Sequence, residues 1–215
     1  MASIFLKDQR KPLSPIQRGR RFMNGWAMFF RQFVKHPGMI GSVIPSSPMM
    51  VDAILDEVDW AHVRLFVEYG PGVGTFTHSI LDRLPADATL LAIDLNRDFI
   101  TYLGAEIADP RLRAVHGSAA DVRRLVAETG HHHADYVLSG LPFSTLPKGV
   151  GEGICAETQA VLRPGGQFLI YQYSRFVHRL IAPLFGRVDE RIEWLNIPPC
   201  RFFRAVKDEA LAQAA

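Results

Sequence analysis

The spacing of apolar residues divides the chain into segments of different period. From Gln17 to about His36, Phe22, Trp26, Phe29, Phe30 and Phe33 recur at helical intervals and form one stripe. Met23, Ala27 and Val34 widen that stripe, while Arg20, Arg31 and Lys35 lie mainly toward the other side. Pro37-Gly38 stops the helix. Residues 1–16, with Pro12 and Pro15, show little periodicity and read as extended. A loop of glycines, prolines and hydroxyls follows. A second helix is predicted over about Pro48 to Val58, with Met49, Ala53, Ile54 and Val58 on its apolar side and Ser47 placed to cap it.

From there short apolar runs alternate with helical patterns. Strands are expected at 64–67, 89–93, 111–116, 134–138 and 167–173, and helices at 76–84, 98–107, 120–129, 148–162 and 174–185. Residues 163–166, Arg-Pro-Gly-Gly, read as a turn into the fifth strand. Arg187 to Asn196 and Cys200 to Val206 read as an antiparallel pair, with Pro198 and Pro199 preventing continuous pairing at their junction. This order predicts an α/β fold, a seven-stranded and mostly parallel sheet with an antiparallel last strand, preceded by an amphipathic helix. Two parts are expected: an arm and loop over residues 1–47 and a single domain over residues 48–215.

Composition adds a charge asymmetry. The 215 residues are 48% hydrophobic and 21% charged, an ordinary globular balance. The net charge is +2, but residues 1–36 carry eight cations against one acid, whereas the remainder has sixteen basic and twenty-one acidic residues. A basic arm on a mildly acidic body calls for an anionic partner, a membrane surface or a nucleic acid. Aromatics on one face and cations on the other suit an interfacial helix; packing on a core with a solvated basic edge is the other reading of the same stripe. No apolar stretch reaches the ~20 residues that cross a bilayer, and no cleavable signal is visible. Cys155 and Cys200 have no metal spacing and suggest a reducing, cytosolic setting, and His131-His132-His133 reads as a solvated loop, so no metal is expected.

The chemistry concentrates where the first strand meets the first helix of the alternating region. Glu68-Tyr69-Gly70-Pro71-Gly72-Val73-Gly74-Thr75 places three glycines in a turn where the backbone can approach a ligand, just ahead of unpaired helix N–H groups. A second acid, Asp94, ends the next strand, a position suited to the vicinal hydroxyls of a ribose. E-x-G-x-G-x-G followed by that acid resembles the class I S-adenosylmethionine-dependent methyltransferases; a dinucleotide enzyme is the competing reading. The resemblance implies S-adenosylmethionine as cofactor and S-adenosylhomocysteine as product. It assigns cofactor contacts to Glu68, Tyr69, Gly70, Gly72, Gly74, Thr75, Asp94, Leu95, Ser118, Ala119, Ser139, Gly140 and Leu141. In the family an acid usually follows the third strand's glycine to touch the adenine; here Ser118 stands there, and Asp121 reads equally as a helix cap.

Gly41-Ser42-Val43-Ile44-Pro45-Ser46-Ser47 ahead of a helix, and Ser139-Gly140-Leu141-Pro142-Phe143 after the fourth strand, resemble one branch, the bacterial phospholipid N-methyltransferases of the Sinorhizobium and Agrobacterium type. That likeness covers about residues 20–205. Amine methyltransferases of nucleic acids often carry an Asn or Asp, two residues including proline, then an aromatic, and Ser139 is read as replacing the amide. The implied reaction moves methyl groups to the amine of phosphatidylethanolamine and its mono- and dimethylated forms, toward phosphatidylcholine. Tyr171, Tyr173, Phe143 and Trp194 are candidates for an aromatic cage around the amine, with a tyrosine or His178 taking the proton. Ser46, Ser47 and Pro142 are placed near the acceptor, and Arg175, Arg179 and Lys148 near a lipid phosphate. Arg21, Trp26, Phe30 and Arg31 would meet an anionic membrane, putting a monomeric enzyme on the inner face of the cytoplasmic membrane. The alternative is a ribosomal RNA adenine N6-dimethyltransferase-like enzyme whose arm contacts phosphates. The missing amide and the acidic body argue against nucleic acid.

Overall fold

The computed structural model describes residues 48–193 and 199–208. Seven strands form one sheet: β1 (Leu65–Tyr69), β2 (Thr89–Asp94), β3 (Leu112–His116), β4 (Ala134–Ser139), β5 (Leu162–Gln172), β6 (Arg187–Glu193) and β7 (Cys200–Val206). Their order is β3-β2-β1-β4-β5-β7-β6. The first five strands are parallel, and β7 runs antiparallel to both β5 and β6. The order reverses direction between β1 and β4, so a crevice opens beyond the carboxyl ends of those strands, where such sheets bind ligands. β1 and β4 are buried along their whole length, as central strands covered on both faces must be.

Helices α1 (Pro48–Leu55), α2 (Thr75–Arg83) and α3 (Arg97–Glu106) cover one face. Met50, Val51, Ile54, Leu55, Phe76, Ile80 and Leu103 pack there with Phe66, Leu138, Leu169 and Phe202. Helices α4 (Val122–Glu128), α5 (Val150–Val161) and α6 (His178–Ile181) cover the other. On that face Leu125, Ile154, Cys155 and Ile181 meet Val67, Val137, Phe168 and Phe203. The inward stripe of α1 is Met50, Val51, Ile54 and Leu55, with Val58 beyond its end; of the expected stripe, Ile54 and Val58 are in that core and Ala53 is only half-buried.

Two segments differ from the expected pattern. The helix expected over 174–185 shrinks to the single turn α6, because Pro183 lacks an N–H and cannot continue the ladder. The Arg-Pro-Gly-Gly turn lies within β5 as a bulge: Ala134 pairs with Leu162, but the next pair is Tyr136 with Gln167. Gly165 there has φ +71°, and its N–H donates to the Lys207 carbonyl at 3.0 Å. A side chain at Gly166 would press on the Arg163 carbonyl at 2.8 Å. Asp135 closes this end of the sheet, accepting from the backbone N–H groups of Arg64 and Leu65 and from Arg163 Nε. No described helix is long and apolar enough to cross a membrane.

Candidate active site

The turn after β1 is built as its glycines demand. Gly70, Gly72 and Gly74 have φ of +67°, +54° and +86°. At Gly74 a Cβ would lie 2.8 Å from Leu103 Cδ2, so close packing as well as conformation excludes a side chain. At Gly72 no atom lies within 4 Å of that position, so the turn has an open front. Thr75 begins α2, and no side chain caps that helix start. Its first N–H groups therefore face the crevice.

Two carboxylates border this turn. Glu68 is 3% exposed and accepts a hydrogen bond from the Thr77 hydroxyl at 2.7 Å. Burial pushes its pKa up to about 8; the Thr77 bond opposes the shift and the nearby Asp94 charge adds to it. Asp94 accepts from the Asn96 N–H at 2.8 Å and faces the Gly72 N–H at 3.4 Å. Burial raises its pKa too, against those backbone bonds and the charge of His116. The next residue, Leu95, is 62% exposed, an apolar surface beside an acid at the end of β2. Ser118 turns its hydroxyl to the Ala120 N–H at 3.2 Å, Ala119 is buried in the core, and Asp121 pairs with Arg124 at 3.7 Å.

Tyr69 does not project into the crevice. Adjacent residues on a strand face opposite sides, and with Glu68 toward α2, Tyr69 enters the other core and shares a hydrogen bond with Thr158 Oγ1 at 3.0 Å. Only its backbone belongs to the site.

On the acceptor side, Ser139 is completely buried and its Oγ accepts from the Leu141 N–H at 3.2 Å. Three residues ahead of Phe143, the register in which nucleic-acid enzymes place their amide, stands Gly140 and not Ser139. The Tyr171 hydroxyl occupies the space where a Gly140 side chain would begin. The Tyr171 ring stacks on Phe76 at 4.8 Å. Burial drives its pKa far up, and negative charge at Glu68, Cys200 and Tyr173 adds to this. Tyr171 is thus a neutral hydrogen-bonding group and not a phenolate base. Gln172, which the sequence did not mark, sends Nε2 to the Leu141 carbonyl at 2.7 Å. Thr77, the donor to Glu68, was also unmarked; only its position one turn into the helix after the glycines hinted at it.

The expected aromatic cage does not assemble. Tyr171 and Tyr173 pack on the α1–α2 face, whereas Phe143, 1% exposed, packs edge-on to Phe168 on the opposite face. His178 is on that opposite face as well, 6.2 Å from the Phe203 ring. A short turn, Phe143–Thr145, after the half-buried Pro142 folds Phe143 away from the crevice. Arg175 is held by Glu190 at 2.7 Å, and the same carboxylate holds Arg201, so this group of two cations and one acid keeps a net positive charge; Arg179 and Lys148 are exposed. A shallow cleft beside Tyr171 is lined by Met50, Ile54, Cys200 and Phe202, with Arg191 among its walls. Trp194, Ser46, Ser47, Arg21, Trp26, Phe30 and Arg31 lie outside the described residues. Among the described residues no group of three or more His, Cys, Asp or Glu side chains could hold a metal ion.

An open glycine turn, a free helix start, a carboxylate and an exposed apolar residue at the end of β2 fit a nucleoside with an amino-acid tail: Gly70 to Thr75 for the tail, Asp94 for ribose hydroxyls and Leu95 for the base plane. The comparisons agree. The model of the methyltransferase-domain family matches residues 66–166. An ornithine lipid N-methyltransferase from Singulisphaera acidiphila is 30% identical over 194 residues, covering 86% of this chain and 99% of the relative. A putative O-methyltransferase from Klebsiella pneumoniae shares the fold with a TM-score of 0.64 at 13% identity, over 92% of each chain. A T. thermophilus 16S rRNA N2 methyltransferase, solved with AdoMet and guanosine, has a TM-score of 0.57 at 20% identity, over 78% of this chain and 44% of its own. The chain belongs to the S-adenosylmethionine-dependent methyltransferases of the class I fold, and S-adenosylmethionine is its cofactor.

Proposed function

We propose that this chain is a membrane-surface N-methyltransferase acting on the amine of a lipid headgroup, with phosphatidylethanolamine and its mono- and dimethylated forms as acceptors and phosphatidylcholine as the end product. The observation that carries the reading is the similarity to a lipid-amine methyltransferase along nearly that relative's whole length. The phosphatidylethanolamine assignment rests on the Ser139-Gly140-Leu141-Pro142 likeness described above.

S-adenosylmethionine supplies an electrophilic methyl group when bound. Asp94 orients the nucleoside and the glycine turn its tail. The acceptor amine must arrive with a free lone pair, and the half-buried turn between the buried Ser139 and Phe143 would favour the neutral amine by limiting water. Tyr171, neutral and set against Gly140, offers a hydroxyl to the amine. The arm's aromatic stripe would enter the interface while Arg20, Arg31 and Lys35 meet anionic headgroups, each contributing roughly 1 kcal/mol that salt weakens. On this reading the enzyme works as a monomer on the inner face of the cytoplasmic membrane.

The relative's name favours a second acceptor, an ornithine lipid, which also presents a primary amine near an anionic group. Labelled S-adenosylmethionine, offered with vesicles containing phosphatidylethanolamine, vesicles containing ornithine lipid, or small-subunit RNA, separates the readings. Label in phosphatidylethanolamine supports the proposal, label in ornithine lipid alone moves the acceptor, and label in RNA overturns lipid chemistry.

A further inference from the structure

Gln172 is the last residue of β5, at the carboxyl end of the sheet, and is 6% exposed. Its amide orientation is determined: the Leu141 carbonyl only accepts, so Nε2 must face it, at 2.7 Å. That leaves Oε1 buried with no protein partner. A buried acceptor without a donor costs free energy, and such a group is expected where a ligand completes the bond. The other buried unpartnered side-chain oxygen among the described residues, Gln167 Oε1, lies in the middle of β5, just after its bulge, where Gln167 pairs with Tyr136 and Val206. Gln172 alone of the two adjoins the acceptor turn.

We propose that Gln172 Oε1 accepts an N–H of the substrate amine, so that the enzyme favours acceptors that still carry one. This rests on the lipid-amine reading above. In each transfer the nitrogen lone pair forms the N–CH₃ bond as the S–CH₃ bond breaks, with that bond's electron pair staying on sulfur. A proton then leaves the alkylated nitrogen for water in the first two transfers and none leaves in the third. The reactive, neutral amine carries two N–H groups before the first transfer, one before the second and none before the third. The bond to Gln172 is therefore available for the first two transfers and absent for the third, and tertiary amine is the form on which the enzyme slows.

The test compares kcat/KM for phosphatidylethanolamine, its monomethyl form and its dimethyl form in vesicles of fixed composition, for the wild-type chain, Gln172→Met and the control Gln167→Met. Wild type and Gln167→Met should use the dimethyl form roughly tenfold less well than the monomethyl form, the effect of one hydrogen bond. Gln172→Met should lose about tenfold on the first two acceptors and less than twofold on the third. The ratio within one preparation is independent of how much protein folds. If Gln172→Met cannot be isolated, the wild-type ratio decides. Equal losses on all three acceptors, or a wild-type enzyme that uses the dimethyl form as well as the monomethyl form, overturns the assignment. A wild type that methylates none of these lipids refutes the phosphatidylethanolamine reading instead.

Discussion

The Tyr171 hydroxyl, on β5, fills the position of the side chain that Gly140, after β4, lacks. A polar atom is thereby supplied to the acceptor turn from the neighbouring strand, anchored by the stack of Tyr171 on Phe76. The turn is held from both sides of the sheet, because the next residue, Gln172, bonds the Leu141 carbonyl.

Gly140→Ala should therefore displace the Tyr171 ring. Overpacking of this kind costs ~1–3 kcal/mol, visible in thermal unfolding. Methyl transfer should fall at least about tenfold while cofactor affinity, set on the β1–β2 side, stays within about twofold. Tyr171→Phe in the same chain relieves the clash with the hydroxyl, so the two substitutions should be less than additive in stability. Simple additivity would separate the two residues.

The raised pKa of Glu68 has a sign that can be measured. A carboxyl whose folded pKa is about 8, against an ordinary 4.5, holds a proton that the unfolded chain has released. Its contribution to stability is complete below pH ~4.5 and declines as the pH rises to ~8. The cationic cofactor favours the ionised form, so its affinity should increase over the same interval. Glu68→Gln should flatten both trends, and titration calorimetry in buffers of different ionisation heat should show proton release on binding that the variant lacks.

Asp94→Ala removes a carboxylate that faces the Gly72 N–H and the crevice. Loss of hydrogen bonds to a charged group should raise the cofactor Kd about 10- to 100-fold. The apparent KM for the lipid should change little. A larger effect on the lipid than on the cofactor would mean that Asp94 serves the acceptor.

Tyr69→Phe makes the opposite prediction about its neighbour on the motif. The hydroxyl's partner, Thr158, lies on the buried face of α5 and also donates to the Ile154 carbonyl. The substitution should cost about 1 kcal/mol of stability and leave cofactor affinity unchanged.

For the arm, Trp26→Asp with Phe30→Asp should weaken vesicle sedimentation more than cofactor binding. Equal losses in both would identify the stripe as core.

The glycine turn and both acids were legible because spacing and residue type together carry them, and the mostly parallel seven-stranded sheet followed from the alternation of apolar runs. Tyr69 could have been placed correctly: two adjacent strand residues cannot share a face, and Glu68 was already assigned to the crevice. Phe143 and His178 were misplaced for another reason. Both are compatible with a cage by type, but the direction of a short irregular turn is set by tertiary packing. Gln172 gave no signal at all, because one polar residue at a strand end is ordinary until its partners are known. Gly140 was passed over for Ser139, since an absent side chain reveals nothing about what fills its place.

Glu57, just beyond α1, bridges Arg191 on β6 at 2.6 Å and approaches Arg204 on β7 at 3.8 Å. Arg191 also lies over the Phe202 ring at 5.1 Å. Residue 47 is where the arm's sequence joins α1. Any tension in the arm, such as the drag of a membrane moving past the domain, therefore reaches α1 first. There it is shared by buried side chains, by the Asp52–Arg83 pair to α2 and by this clamp on the antiparallel edge. The clamp ties the stretch where the arm's sequence joins to the antiparallel edge of the sheet, away from the crevice beside β1 and β2.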